Sequence, residues 1–266
     1  MAKVGLIAGG GSLPVEFVRS ARQSGDTVVA FAIRGMASSR LEEEADKIYW
    51  MDIGEYRKFA FLLIKERIRH LALIGTVNKS LIYESGTYDK EAREGLKSLQ
   101  NKKDYSILGE ITRHLGRMGV EVIDGMKYLS HLLPEKGVLS RTAADARVEE
   151  DINFGYDVAK KLAGMDIGQT VVVKGGAVVA VEAMEGTDET IVRAKKTAGE
   201  GCVMVKVSRP KQDMRWDVPT VGPATMEKLI ENKFSAIAIE NAKMFLIEKE
   251  KFLSLADSGN IVVKVV

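Results

Sequence analysis

Short apolar runs alternate with segments of helical periodicity along the first half of the chain. Residues 4–8 form the first run and end in Gly9-Gly10-Gly11-Ser12-Leu13-Pro14. Ser12 can cap the helix that follows, and Pro14 suits its first turn because the missing N–H would have no intrahelical partner. Leu13, Phe17 and Ala21 give that helix an apolar face, and Gly25 marks its end. Residues 27–33 make a second buried strand and 47–50 a short third. A helix through Phe59, Leu62 and Leu63 leads to a fourth strand at 71–75. Ile107, Ile111, Leu115 and Met118 share one face of a helix over 104–118, Gly119 stops it, and a fifth strand follows at 120–123. Strand, glycine loop, helix and strand in that order open a doubly wound sheet.

The pattern changes after residues 133–140, where Pro134 and Gly137 mark a boundary between domains over 1–134 and 135–266. Thr142-x-x-Asp145 imitates a capping box for a helix with Val148, Ile152, Gly155, Ala159 and Leu162 inside. Two β-branched runs, 170–174 and 177–182, flank Gly175-Gly176, a hairpin signal because a type I′ turn needs positive φ twice. Thr187 is expected to cap a helix reaching Ala198, with Asp188 and Glu189 complementing its dipole. A strand at 202–207, a helix over 220–232 with Gly222 and Pro223 at its start, and strands at 236–239 and 244–247 follow. A helix over 249–255 and a strand at 261–265 complete the chain. The expected fold is α/β: an N-terminal Rossmann-like parallel sheet domain and a distinct C-terminal mixed α/β domain containing an antiparallel hairpin.

Composition removes several function classes. With 39 basic against 37 acidic residues there is no polyanion footprint, so nucleic acid is not an expected partner. The single cysteine, Cys202, sits in an apolar run, suits a reducing interior and reads as core. The opening residues show no secretory signal, and no stretch approaches a membrane span, so a cytoplasmic protein is expected. A small apolar surface for peripheral membrane contact would leave little trace in composition. His70, His114 and His131 have neither metal-ligand nor triad spacing.

Candidate chemistry gathers in residues 206–222, where two aspartates, two arginines and two lysines lie among prolines after a buried strand. Asp213 and Asp217, with Glu182, Glu185 or Asp188, could hold Mg²⁺ or Mn²⁺, and Arg209, Lys211 and Arg215 could neutralise phosphate. A solvated turn with surface ion pairs is the alternative. Around Gly10, Gly11, Ser12 and Leu13, backbone N–H groups at a helix N-terminus could cradle a nucleotide diphosphate. Because Pro14 occupies the third glycine position of Gly-x-Gly-x-x-Gly, a tight turn with no ligand is the alternative there. Asn78 and Lys79, beyond the fourth strand, are further candidate contacts. A nucleotide-dependent oxidoreductase and a non-catalytic sugar-nucleotide binding protein are rival readings.

Five segments in order, LIAGGGSLP (6–14), GTVNK (75–79), GVLSRT (137–142), VEAMEGTD (181–188) and PKQDMRWDVPTVG (210–222), carry a resemblance. They resemble the family of UDP-2,3-diacylglucosamine pyrophosphatases of lipid A biosynthesis, the branch unrelated to the calcineurin-like metallophosphoesterases. The resemblance implies attack of water on the α-phosphorus with a divalent cation, giving UMP and 2,3-diacylglucosamine 1-phosphate. It also implies an acylated substrate, a lipid product held between the two domains, and transient contact with the inner-membrane surface. Carried onto this chain, the catalytic aspartate falls in 213–217, with Asp217 favoured, Asp213 close behind and Arg215 between them. Asp213, Asp217, Glu182 and Asp188 become the metal candidates. Thr76, Thr142, Lys174, Glu185, Gly186, Thr187, Asp188, Arg209, Lys211 and Gln212 join the glycine-loop residues, Asn78 and Lys79 as substrate contacts. Asn78 stands where the family often has arginine, which weakens that position as a phosphate grip. Homodimerisation is expected only from the prevalence of cyclic dimers.

Overall fold

A computed structural model describes residues 1–77, 89, 104–210, 212–216 and 218–266, with 104–107 described through their backbone alone. The chain forms two units: Met1–Ser130 with Met214–Trp216, and His131–Asp213 with Asp217–Val266.

In the first unit, β1 (Lys3–Ala8), β2 (Thr27–Ile33), β3 (Lys47–Met51), β4 (His70–Ile74) and β5 (Glu121–Val122) are all parallel. Their order is β3-β2-β1-β4-β5, so the direction of winding reverses between β1 and β4. Five successive positions of β2, Val28 to Ala32, are buried, because helices cover both faces and neither can be polar. On one face, α1 (Leu13–Gln23) meets α2 (Leu41–Glu44) through an Arg19–Glu44 ion pair at 2.6 Å. On the other, α3 (Tyr56–Lys65) and α4 (Asp104–Arg117) bring Leu62, Leu63 and Leu115 onto Val29, Phe31 and Leu71. Tyr128 of α5 (Met126–Leu129) meets Phe17 of α1 edge-on, with ring centroids 4.9 Å apart.

The second unit is built on a six-stranded sheet of β6 (Gly137–Val138), β7 (Thr170–Lys174), β8 (Ala177–Val181), β9 (Val203–Lys206), β11 (Ala236–Ile239) and β13 (Val262–Val265). In the order β6-β13-β11-β9-β7-β8, the inner trio is parallel and both margins are antiparallel. One face carries α6 (Ala146–Gly164), whose Ile152, Ala159 and Ala163 pack on Val171, Val203 and Val205. The other face carries α7 (Thr187–Ala198), α8 (Pro223–Glu231) and α9 (Lys249–Ser258), which contribute Ile191, Met226 and Phe252 to a second layer of core. The short strands β10 (Thr220–Val221) and β12 (Phe245–Leu246) form a separate parallel pair.

The mixed α/β architecture and the hairpin agree with the sequence pattern. Gly175 and Gly176 have φ of 59° and 74°, and their N–H groups donate to the buried Asp151 carboxylate at 2.8 and 2.6 Å. Three helix starts differ from expectation. Asp145 caps α6, its Oδ1 accepting from Val148 N at 2.8 Å, while the Thr142 carbonyl is used by Ser140 Oγ in the preceding turn. Gly186 takes the N-cap of α7, because the Thr187 hydroxyl donates to Glu182 Oε1 at 2.8 Å instead of capping. Thr220 begins β10, paired with Phe245, so the helix after it starts only at Pro223, behind Gly222. Ser12 does occupy the N-cap of α1, but its side chain makes no capping bond.

Candidate active site

In the first unit, the loops leaving β1 and β4 meet at the C-terminal edge of the sheet, where the strand order reverses. Gly10 and Thr76 form an antiparallel bridge, with Gly10 N donating to Thr76 O at 2.8 Å and Thr76 N to Gly10 O at 3.0 Å. The loops approach so closely that a Cβ on Gly9 would lie 2.5 Å from Thr76 O, and one on Gly75 would lie 2.7 Å from Gly10 O. Gly75 also has φ of 99°, which an L side chain rarely adopts. Gly9 N and Gly10 N are therefore spent on backbone partners, Ile74 O and Thr76 O. Among the described residues the N–H groups of Gly11, Ser12 and Leu13 have no hydrogen-bond partner, so any anion cradle lies in those three rather than in the whole glycine run. The structure thus brings Gly10, Gly11, Ser12, Leu13 and Thr76 together; Asn78 and Lys79 lie outside the described residues.

In the second unit, a polar cluster occupies the edge where β9 and β11 end. Lys206, the last residue of β9, donates to Thr187 Oγ1 at 3.2 Å and to Thr220 O at 3.3 Å. Thr187 passes a hydrogen bond to Glu182 Oε1, and Glu182 Oε2 accepts from Gln169 N at 3.3 Å. Thr170, the partner of Lys206 across the ladder, is buried, and its hydroxyl has no partner among the described residues. Gln212 Oε1 accepts from Arg209 N and from Gln169 Nε2, both at 3.1 Å, while Arg209 Nε donates to Asp166 Oδ1 at 2.8 Å. These bonds fix the first turn of the charged segment.

Below that turn lies an ion pair between the half-buried Lys160 and the buried Glu240. Glu240, just past β11, accepts from Lys160 Nζ at 2.9 Å, from Ser208 N at 2.8 Å and from Ser208 Oγ at 2.8 Å. Burial alone would push the Glu240 carboxyl up. The bonds from Lys160 and Ser208 outweigh burial, and the carboxyl titrates below its ordinary range. Burial likewise pushes the Cys202 thiol up, so it stays protonated core and no nucleophile.

Not every expected contact reaches this edge. Lys174, at the far end of β7, donates to Ala198 O at 2.7 Å and fastens the last turn of α7. Thr142 follows β6 near Ser140, whose Oγ accepts from Val263 N at 2.9 Å at the beginning of β13. Both lie at the opposite edge of the sheet from Lys206. Glu185 is exposed and engaged by Arg193 Nη2; its own backbone N–H, then Arg193, lower its pKa. Asp188 is exposed in the first turn of α7 beside Gly186. Asp213 belongs to the second unit, whereas Arg215 and Trp216 group with the first, where Arg215 lies 5.1 Å from the Trp216 ring centroid. Lys211 and Asp217 lie outside the described residues. Among the described residues no three His, Cys, Asp or Glu side chains gather into a group able to hold a metal ion.

Sequence reasoning did not single out Lys206, Lys160, Ser208 or Glu240 as site residues. The available signal was a charged residue directly after a fully apolar strand, as at Lys206 and Glu240.

A Rossmann-like parallel unit, a mixed α/β unit and polar clusters at the strand edges define a two-unit α/β protein of the kind that takes ligands at its strand ends. The model of the LpxI N-terminal domain matches residues 3–132 and that of the LpxI C-terminal domain matches 135–264, so the chain belongs to the LpxI family. A curated relative, "UDP-2,3-diacylglucosamine pyrophosphatase LpxI" of Caulobacter vibrioides (strain ATCC 19089 / CIP 103742 / CB 15), is 29% identical over 276 residues, covering 97% of this chain and 95% of that protein. Among solved structures, the biotin carboxylase domain of a thermophilic 2-oxoglutarate carboxylase shares 14% identity at a TM-score of 0.28, covering 74% of this chain and 33% of that one. Glycinamide-RNase-transformylase T of Mycobacterium tuberculosis shares 12% identity at a TM-score of 0.26, covering 68% and 44%. Likenesses that low carry no argument about fold or activity.

Proposed function

We propose that the chain hydrolyses the pyrophosphate of UDP-2,3-diacylglucosamine in lipid A biosynthesis, water attacking the α-phosphorus to give UMP and 2,3-diacylglucosamine 1-phosphate. The observation that carries this reading is the match to both domains of one family, with a full-length relative named for that activity. The geometry is compatible with it. The N–H groups of Gly11, Ser12 and Leu13, which have no partner among the described residues, suit a phosphate at a helix N-terminus. Lys206 places a cation across the ladder from Thr170, whose hydroxyl has no partner among the described residues, at an edge where α/β sheets take ligands.

Mg²⁺ or Mn²⁺ belongs to the proposal, because the carboxylates of 213–217 are the ligand type that a hard cation takes and the ion would spread developing phosphate charge. The described carboxylates do not by themselves assemble that site, and both Glu182 oxygens already accept hydrogen bonds. No step is therefore routed through the ion. Asp217 is assigned the orientation of the attacking water, Arg209 and Lys211 the phosphates, and Ser208 with Glu240 the anchoring of the loop that presents them.

The test is UMP release from intact UDP-2,3-diacylglucosamine with and without Mg²⁺. We expect metal-dependent release, and a loss of roughly a hundredfold or more in a folded Asp217→Asn protein. No release from the native chain at any divalent cation would sink the reaction, and near-full turnover by Asp217→Asn at saturating metal would sink the residue's role.

A further inference from the structure

The solvent face of α3 carries two large apolar side chains that none of the described residues covers. Phe61 is 62% exposed and Ile64 72% exposed, and their i, i+3 spacing sets them side by side on the face opposite the buried Leu62 and Leu63. A pair of this size left in water departs from the ordinary scatter of single exposed residues.

The exposed charges at and beyond the end of the helix are mostly basic. Lys65, Arg67 and Arg69 are exposed at and just beyond the end of the helix, and none has an ion-pair partner among the described residues. Arg57, one turn before Phe61, is exposed as well. The nearby acids are engaged elsewhere or fewer: Glu66 is buried and turned inward to Lys3, Lys47 and Tyr49, Glu55 faces Lys58 at 2.9 Å, Asp89 accepts from Arg57 N at 2.7 Å, and the exposed Glu121 faces His70 at 3.7 Å, which leaves Lys65, Arg67 and Arg69 as the basic rim.

We propose that this face of α3 docks on the surface of a bilayer containing anionic lipid, with Phe61 and Ile64 entering the headgroup–acyl boundary and Lys65, Arg67 and Arg69 meeting the lipid phosphates. An apolar pair rimmed by cations is the arrangement by which interfacial helices bind such surfaces: the apolar atoms give partitioning and the basic rim gives selectivity for negative charge. A protein partner of matching shape would have to bring its own excess of acids, whereas the bilayer supplies negative charge over its whole plane. Among the described residues no helix is long and apolar enough to cross a membrane, so contact by these residues is peripheral. The proposal stands without the reaction proposed above, since docking requires no substrate.

The experiment is flotation of the full chain with phosphatidylcholine vesicles, with and without phosphatidylglycerol, in low and high salt. Native protein is expected to float only with phosphatidylglycerol vesicles and to be released by salt. Phe61→Ser/Ile64→Ser and Lys65→Glu/Arg69→Glu should each weaken binding about tenfold or more, with unchanged circular dichroism. These are surface positions, so a folded variant is expected in both cases. In the flotation assay the proposal is overturned by no flotation of native protein, by flotation that neither variant weakens, or by equal flotation on neutral vesicles. A native dimer that Phe61→Ser/Ile64→Ser converts to monomer on gel filtration would also overturn it, assigning the face to a second copy.

Discussion

Two lysines one sheet apart show how far a single position decides what a charged side chain can do. Lys206 ends β9 at the edge where parallel strands present their loops, and it donates to Thr187 and Thr220. Lys174 sits at the other edge and holds Ala198 O, so its work is on the α7 terminus. Replacing each by methionine separates the two. Lys206→Met is expected to lower kcat/KM for UMP release about tenfold or more, since a phosphate would lose a charge-assisted contact. Lys174→Met should leave kcat/KM within about twofold and cost roughly 1 kcal/mol of stability for the lost bond. Equal kinetic damage from both would remove the strand-edge assignment. Gly9 is constrained in another way. An alanine there would drive its Cβ onto Thr76 O, so Gly9→Ala should cost roughly 1–3 kcal/mol in denaturant unfolding through overpacking.

At the scale of elements, what was legible in the sequence was what neighbours along the chain decide. The β1–glycine loop–α1–β2 order, the buried runs and the Gly175-Gly176 hairpin follow from local periodicity and turn chemistry. The helix caps failed where a tertiary partner competed. Thr187 looks like a cap, but its hydroxyl is drawn to Glu182, and Gly186 takes the position instead. Thr220 looks like a helix start because nothing nearby shows that Phe245 will pair with it. The buried half of the candidate site was illegible for the same reason: Ser208 and Glu240 are 32 positions apart and meet only once β9 and β11 lie side by side. Asp151 is a long-range element of the same sort. Its carboxylate closes the hairpin turn from α6, and Asp151→Ala should cost roughly 2–3 kcal/mol because two part-buried bonds to a charged acceptor are lost together. Asp145→Ala, an exposed cap, should cost about 1 kcal/mol. Denaturant midpoints at constant slope would check the ranking, and a larger loss at Asp145 would contradict it.

Across the whole molecule, the acid side of the stability curve is set by a few carboxylates that folding holds charged. Asp26 is pushed from its ordinary 3.8 down to about 2, first by the Ala2 N–H and then by Tyr128 and Lys127. Glu66 is pushed from 4.5 down to about 2 by Lys47, then Tyr49 and Lys3. Glu240 adds a depressed carboxyl in the second unit. Glu200 is also lowered, but its side chain is 57% exposed and solvent screens the pair, so it contributes little. A carboxyl with a lowered folded pKa contributes stability that is fully present above its unfolded value and lost as pH falls through the folded one. The free energy of unfolding should therefore be level from neutral pH down to near 4.5 and then decline steadily toward about 2. Both tryptophans, Trp50 and Trp216, belong to the first unit, so their fluorescence follows the part of the chain that holds Asp26 and Glu66. Glu66→Gln keeps the shape and removes the titration. It is expected to lower fluorescence-monitored stability at neutral pH by roughly 1–3 kcal/mol and to flatten the decline between 4.5 and about 2. An unchanged acid slope in that variant would mean that the Lys3–Glu66–Lys47 cluster holds no more charge stabilisation folded than unfolded.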